Sequence, residues 1–110
     1  MSPTDGAFEA PARLFAALGD PTRIAIVRRL STGEACSIAA LAKATRLTRQ
    51  AVTKHLHVLD AAGLVRGVRA GRESRYAFEP GQLEAAQAYL AAISAQWDDA
   101  IERLRTLVED

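Results

Sequence analysis

Apolar residues recur along this chain at helical spacing in five stretches and at strand spacing in one. From Pro11, Leu14, Phe15 and Leu18 fall on one stripe of a helix that Gly19 ends. Asp20-Pro21-Thr22 opens a second helix, with aspartate as N-cap and proline at the first helical position, where its missing N–H costs nothing. Ile24, Val27 and Leu30 carry that helix to a stop at Ser31-Thr32-Gly33. Ser37 caps a short third helix, IAALAKAT, with Ile38, Leu41 and Ala42 facing inward, and Arg46-Leu47 forms the next turn. Thr48 caps the fourth helix, and Gly63 stands just past its end.

The period then changes. In VRGVRAGRESRYAFEP, Val65 and Val68 precede Ala70-Gly71-Arg72-Glu73, and Tyr76 and Phe78 follow two apart, which predicts two short strands around a glycine turn. Pro80-Gly81 opens a final helix with apolar residues at Leu83, Ala86, Leu90, Ile93, Trp97, Ile101, Leu104 and Val108. This heptad-like seam runs along about 28 residues, or roughly 42 Å of helix. The predicted fold is mainly α with a small β-hairpin, in the order helix, helix, helix, turn, helix, hairpin, helix. That is the plan of a winged helix-turn-helix. Residues 1–10 carry no hydrophobic period and read as a flexible arm. Residues 11–110 read as one domain whose last helix, about 80–109, serves dimerisation.

The fourth helix divides into two faces at 3.6 residues per turn. Val52, His55, Leu56 and Leu59 form an inward stripe; Gln50, Thr53, Lys54 and His57 form the opposite one, with Arg49 beside them. The outward face is polar, lacks acids and starts at a helix N-terminus, as a helix inserted into the DNA major groove requires. His55 and His57 point about 200° apart and cannot hold one ion together. His55 is therefore expected to be structural, hydrogen-bonded to backbone or a neighbouring turn, and His57 to face DNA.

Charge sharpens this picture. The net charge of +1 conceals a middle segment, residues 42–76, with eight basic and two acidic residues, and a tail, residues 77–110, with two basic and seven acidic. A local +6 beside a local −5 marks a surface for a polyanion. Within it, Arg66, Arg69, Arg72 and Arg75 lie in or beside the hairpin; Arg69 and Arg72 are expected to touch DNA, and the alternative for one or two of the four is a salt bridge to the acidic last helix. No apolar run reaches the roughly 20 residues of a membrane helix. The N-terminal stretch lacks a secretory pattern, and Cys36 is the sole cysteine, so a cytoplasmic setting is expected.

The long apolar seam exceeds what a small three-helix core covers. Pairing of Leu14, Phe15, Leu18, Leu90, Ile93, Trp97, Ile101 and Leu104 with a second subunit would bury it. A two-fold dimer would also set two recognition helices about 34 Å apart, one duplex turn.

Three segments, 18-LGDPTRIAIVRRL-30, 50-QAVTKHLHVLDAAGLV-65 and 71-GRESRYAF-78, resemble the second-helix opening, the recognition helix and the wing of the ArsR-type transcriptional repressors. The resemblance covers about residues 12–108 and implies dimeric operator binding and repression, relieved in many members by a metal or another signal. Metal-sensing members commonly carry a Cys-x-Cys pair on the third helix or an Asp/His set on the last. Here GEACSIAAL holds Cys36 alone, no histidine follows His57, and the adjacent Asp98 and Asp99 diverge on their helix. The chain thus resembles members without the usual metal-ligand sets.

The expectation is a non-enzymatic, sequence-specific DNA-binding regulator, a homodimeric repressor with no cofactor or built-in metal site. Thr48, Arg49, Gln50, Thr53, Lys54, His57, Arg69 and Arg72 are its expected contacts to double-stranded DNA. No nucleophile–base pair, paired inward carboxylates or phosphate loop suggests catalysis. Two rival readings remain open: a metal- or thiol-responsive sensor using Cys36, and a protein-interaction module built on the long helix. As a lone thiol, Cys36 is expected to act as a small buried hydrophobe.

Overall fold

The computed structural model describes residues 6–109, with side chains from residue 9 onward. The elements are α1 (Gly6–Leu18), α2 (Pro21–Ser31), β1 (Cys36–Ser37), α3 (Ile38–Thr45), α4 (Arg49–Ala61), β2 (Val65–Ala70), β3 (Glu73–Phe78) and α5 (Gly81–Glu109).

The predicted caps are in place. The Asp20 carboxylate accepts from the N–H groups of Thr22 and Arg23 at 2.8 and 3.1 Å, and Ser37 Oγ accepts from Ala40 N–H at 3.1 Å. Thr48 Oγ1 accepts from Ala51 N–H, also at 3.1 Å, which starts α4 at the expected residue. Gly63 follows α4 with φ +77°, a left-handed conformation in which a Cβ would also come 2.6 Å from Gln82 Cγ.

Three expectations need correction. The first helix begins at Gly6, so residues 6–10 belong to α1 and not to an arm; residues 1–5 of the expected arm lie outside the described residues. Pro11 sits inside this helix, where it removes a backbone hydrogen bond but leaves Leu14 and Ala17 free to pack. In α2 the buried stripe is Ile26, Val27 and Leu30, whereas Ile24 is exposed. Ile24 lies about 160° around the helix from Ile26, so only one of the two can face inward. Finally, the hairpin gains a third strand: the order is β1-β3-β2, all antiparallel, with Cys36 opposite Tyr76 and Ser37 opposite Arg75.

The β2–β3 hairpin pairs Val65 with Phe78 at its base and Ala70 with Glu73 at its tip, leaving Gly71-Arg72 as a two-residue loop. Gly71 has φ +65° and Arg72 does not have positive φ, the combination of a type II′ turn. Leu14, Ile26, Leu41, Val52, Leu56, Leu59, Leu64 and Val65 are fully buried and join all four short helices to the base of the wing. Ala86 is the only fully buried residue of α5 among the described residues. Leu83 packs beside it, and beyond Ile93 the helix is almost wholly exposed and extends past the core, which explains a radius of gyration of 18.3 Å, against about 13 Å for a compact chain of this length.

Candidate nucleic-acid interface

Helix α4 is held by its inward face. Val52, Leu56 and Leu59 are solvent-inaccessible, so the helix cannot rotate without opening the core. His55, expected to be structural, is half-buried on the same side and meets a side chain of the first turn of α2. Its Nδ1 lies 3.4 Å from a terminal nitrogen of Arg23. A guanidinium only donates, so it is the neutral ring with its proton on Nε2 that can accept this contact at Nδ1.

The opposite face is open. Arg49, Gln50, Lys54 and His57 are exposed, and Thr53 is half-buried between them. Arg49, Lys54 and His57 form no ion pair among the described residues. Thr53 Oγ1 donates to the Arg49 carbonyl at 2.8 Å, which leaves its oxygen lone pairs and methyl group for an outside partner. Thr48 acts first as the helix cap. The N-terminus of α4 also carries the positive end of the helix dipole, adding to the attraction for phosphate.

In the wing the four arginines separate by partner. Arg66 pairs with Glu79 at 3.2 Å and Arg75 with Glu73 at 3.0 Å. Neither acid is in the last helix: Arg66, opposite Ala77, reaches diagonally to Glu79 just past β3, and Arg75 and Glu73, two apart on β3, share one face of that strand. Arg69 makes only a 3.4 Å hydrogen bond to Ser74, and Arg72 occupies the exposed turn without an ion pair among the described residues. The two wing cations expected to meet DNA are thus the two that no carboxylate neutralises among the described residues.

Sequence reasoning missed Arg46 as a distinct feature. It closes α3 in the left-handed region, φ 60° and ψ 32°, two residues before the α4 cap. Its membership of the basic segment was visible; its backbone conformation was not.

Cys36 sits in β1, half-buried against the core, with Sγ 3.5 Å from the Glu34 carbonyl. Among the described residues no three His, Cys, Asp or Glu side chains gather as metal ligands would. No helix among them is long and apolar enough to cross a membrane.

The second surface lies on α1 and α5. Phe15 packs near Tyr89 with ring centroids 6.3 Å apart, and an open apolar hollow of about 350 Å³ is lined by Leu14, Phe15, Leu18, Phe78, Leu83 and Leu90. Trp97 is 68% exposed, and Leu90, Ile101 and Leu104 are also largely uncovered, while Ile93 and Leu18 are half-buried. Leu14 departs from the expected interface set: at 1% exposure it is spent on the protomer's own core. It lies at the centre of the α1 stripe, whereas Phe15, one residue on, turns to its edge.

Comparison with known proteins agrees with this arrangement. A helix-turn-helix domain model matches residues 18–68. The HTH-type transcriptional repressor SmtB of Mycobacterium tuberculosis is 38% identical over 93 residues, spanning 84% of this chain and 67% of that protein. Among solved structures, an ArsR-like transcriptional regulator from Rhodococcus sp. RHA1 superposes with a TM-score of 0.82 at 36% identity, covering 93% of this chain and 95% of the other. The homodimeric winged helix-turn-helix DNA-binding domain Mb0332 from Mycobacterium bovis gives 0.65 at 25% identity, with 94% and 93% covered. With its capped α4, its wing and its extended last helix matched along nearly the whole chain, this protein belongs to the ArsR family of winged helix-turn-helix, DNA-binding transcriptional regulators.

Proposed function

We propose that the chain acts as a homodimeric repressor, without enzymatic activity, that binds a two-fold symmetric operator in the cytoplasm. The observation that carries this reading is the exposed, acid-free row of Arg49, Gln50, Lys54 and His57 on a helix pinned from behind by Val52, Leu56 and Leu59. Gln50 and Thr53 supply base-reading groups, Arg49, Lys54 and His57 supply phosphate or base contacts, and Arg69 and Arg72 reach the adjacent backbone or minor groove. Phe15, Leu18 and the α5 residues Leu90, Ile93, Trp97, Ile101 and Leu104 form the subunit contact. The uncovered seam and the homodimeric relative support that assembly. Binding needs neither metal nor cofactor in this reading.

The test is an anisotropy titration with the duplex upstream of its own coding sequence and a scrambled control, at several salt concentrations and with a chelator present. Two chains per site, preference for the upstream duplex, affinity falling steeply with salt and indifference to chelator are expected. Equal affinity for both duplexes would defeat the operator assignment, and a single chain per site would defeat the dimer.

A further inference from the structure

We infer that Arg46 is a phosphate-backbone contact of the helix-turn-helix, retained at a position where glycine or asparagine would cost the fold less. This rests on the DNA-binding reading above and adds to it a residue at the turn between α3 and α4.

The argument begins with the backbone. Arg46 is the only non-glycine residue with positive φ among the described residues. The conformation is imposed by how α3 ends: Arg46 N–H and Leu47 N–H both donate to the Ala42 carbonyl, the latter at 3.2 Å, and Leu47 packs on the core. This is a Schellman-type close, whose left-handed residue is ordinarily glycine, sometimes asparagine, because a Cβ there crowds the following carbonyl. The chain uses glycine at its other left-handed positions, Gly63 and Gly71, but not here. A strained residue that the fold does not need points to a role for its side chain.

The side chain offers such a role. Arg46 is exposed and its guanidinium makes no hydrogen bond or ion pair among the described residues. It stands three residues before Arg49, hence within about 11 Å of chain from the end of α4 that enters the groove. A free fork of donors at that end suits a phosphate oxygen. The competing explanation is intramolecular: a cation at a helix C-terminus gains some stability from the helix dipole.

The two explanations separate in one experiment, using the full chain and a labelled mixed-sequence duplex, which reports phosphate contacts without an identified operator. R46G and R46N are expected to melt at or above the parent temperature. Both should bind the duplex several-fold more weakly, with the log-affinity against log-salt slope reduced in magnitude by about 0.9, the share of one phosphate. R46K keeps the charge and the backbone strain and should restore the parent slope. An unchanged slope in R46G and R46N overturns the assignment, as does a lower melting temperature accompanied by unchanged affinity, the dipole outcome. If the unsubstituted chain shows no salt-dependent binding to any duplex, the DNA-binding reading itself fails, and this appears before any variant is made.

Discussion

Arg23 of α2 places a guanidinium nitrogen 3.4 Å from Nδ1 of His55 on the back of the recognition helix, while its Nε donates to the Ala17 carbonyl at 2.6 Å. A second terminal nitrogen lies 3.4 Å from the Ala16 carbonyl. One side chain therefore satisfies the carbonyl end of α1 and braces α4. The helix that shares the proposed subunit contact and the helix proposed to face DNA are joined through a single polar side chain as well as through the core.

Replacing Arg23 with Met keeps much of its apolar length and removes all three donors. The variant should lose about 1–3 kcal/mol of stability, the usual range for hydrogen bonds to a charged group, discounted for partial exposure. Urea unfolding measures this. Because H55A removes only one of the three contacts of Arg23, it should cost less than R23M; a larger loss in H55A would place the brace in packing and not in the guanidinium.

Asp20 provides a pH-dependent contribution. Its pKa is held below the ordinary value of 3.8, first by the Arg23 backbone N–H and further by the Thr22 N–H and the charges of Arg23 and His55, against an opposing desolvation. A depressed folded pKa means stability that is complete above the unfolded value and is lost as pH falls through the folded one. D20N can still cap the helix but cannot titrate. The stability difference between the parent and D20N should therefore shrink from about pH 5 to about pH 2, as read from urea midpoints. A constant difference across that window would exclude the linkage.

Leu14 and Trp97 should fail in different ways. L14A opens a cavity in the protomer core and should cost about 2–5 kcal/mol, lowering the melting temperature at every protein concentration. W97E alters a residue that the protomer leaves 68% exposed, so helicity should survive while sedimentation equilibrium shows dissociation to monomers. A W97E chain that stays dimeric would remove Trp97 from the subunit contact.

Much of this arrangement was legible because its determinants are local. Asp20, Ser37 and Thr48 cap helices through N–H groups two or three residues away, and Gly71 satisfies a turn through its own φ. Longer-range outcomes were less legible. The two residues of β1 are too short to show a period, and only their pairing with Tyr76 and Arg75 on β3 makes them a strand. The choice between Ile24 and Ile26 depends on how α2 is rotated against its neighbours, and the burial of Leu14 depends on which elements pack against α1. In the site, the polar face of α4 followed from helical geometry alone. Which wing arginines stay free followed from the strands: the hairpin register sets Arg66 diagonally across from Glu79, and the two-residue alternation of β3 sets Arg75 beside Glu73.

Gln50 and Arg72 should divide specificity from affinity. A glutamine near the N-terminus of a recognition helix can bond both N6 and N7 of adenine, an arrangement worth about 1–3 kcal/mol against a wrong base. Q50A should therefore weaken binding to the upstream duplex by that amount while leaving a mixed-sequence duplex nearly unchanged. Arg72, at the tip of the wing and without a carboxylate partner among the described residues, should act oppositely: R72A weakens both duplexes alike and lowers the salt slope by about 0.9. Paired titrations on the two duplexes measure both effects. Equal losses on both duplexes for Q50A would make Gln50 a backbone contact, and a sequence-dependent loss for R72A with an unchanged salt slope would make Arg72 a base reader. Either result would move the source of specificity from the recognition helix towards the wing.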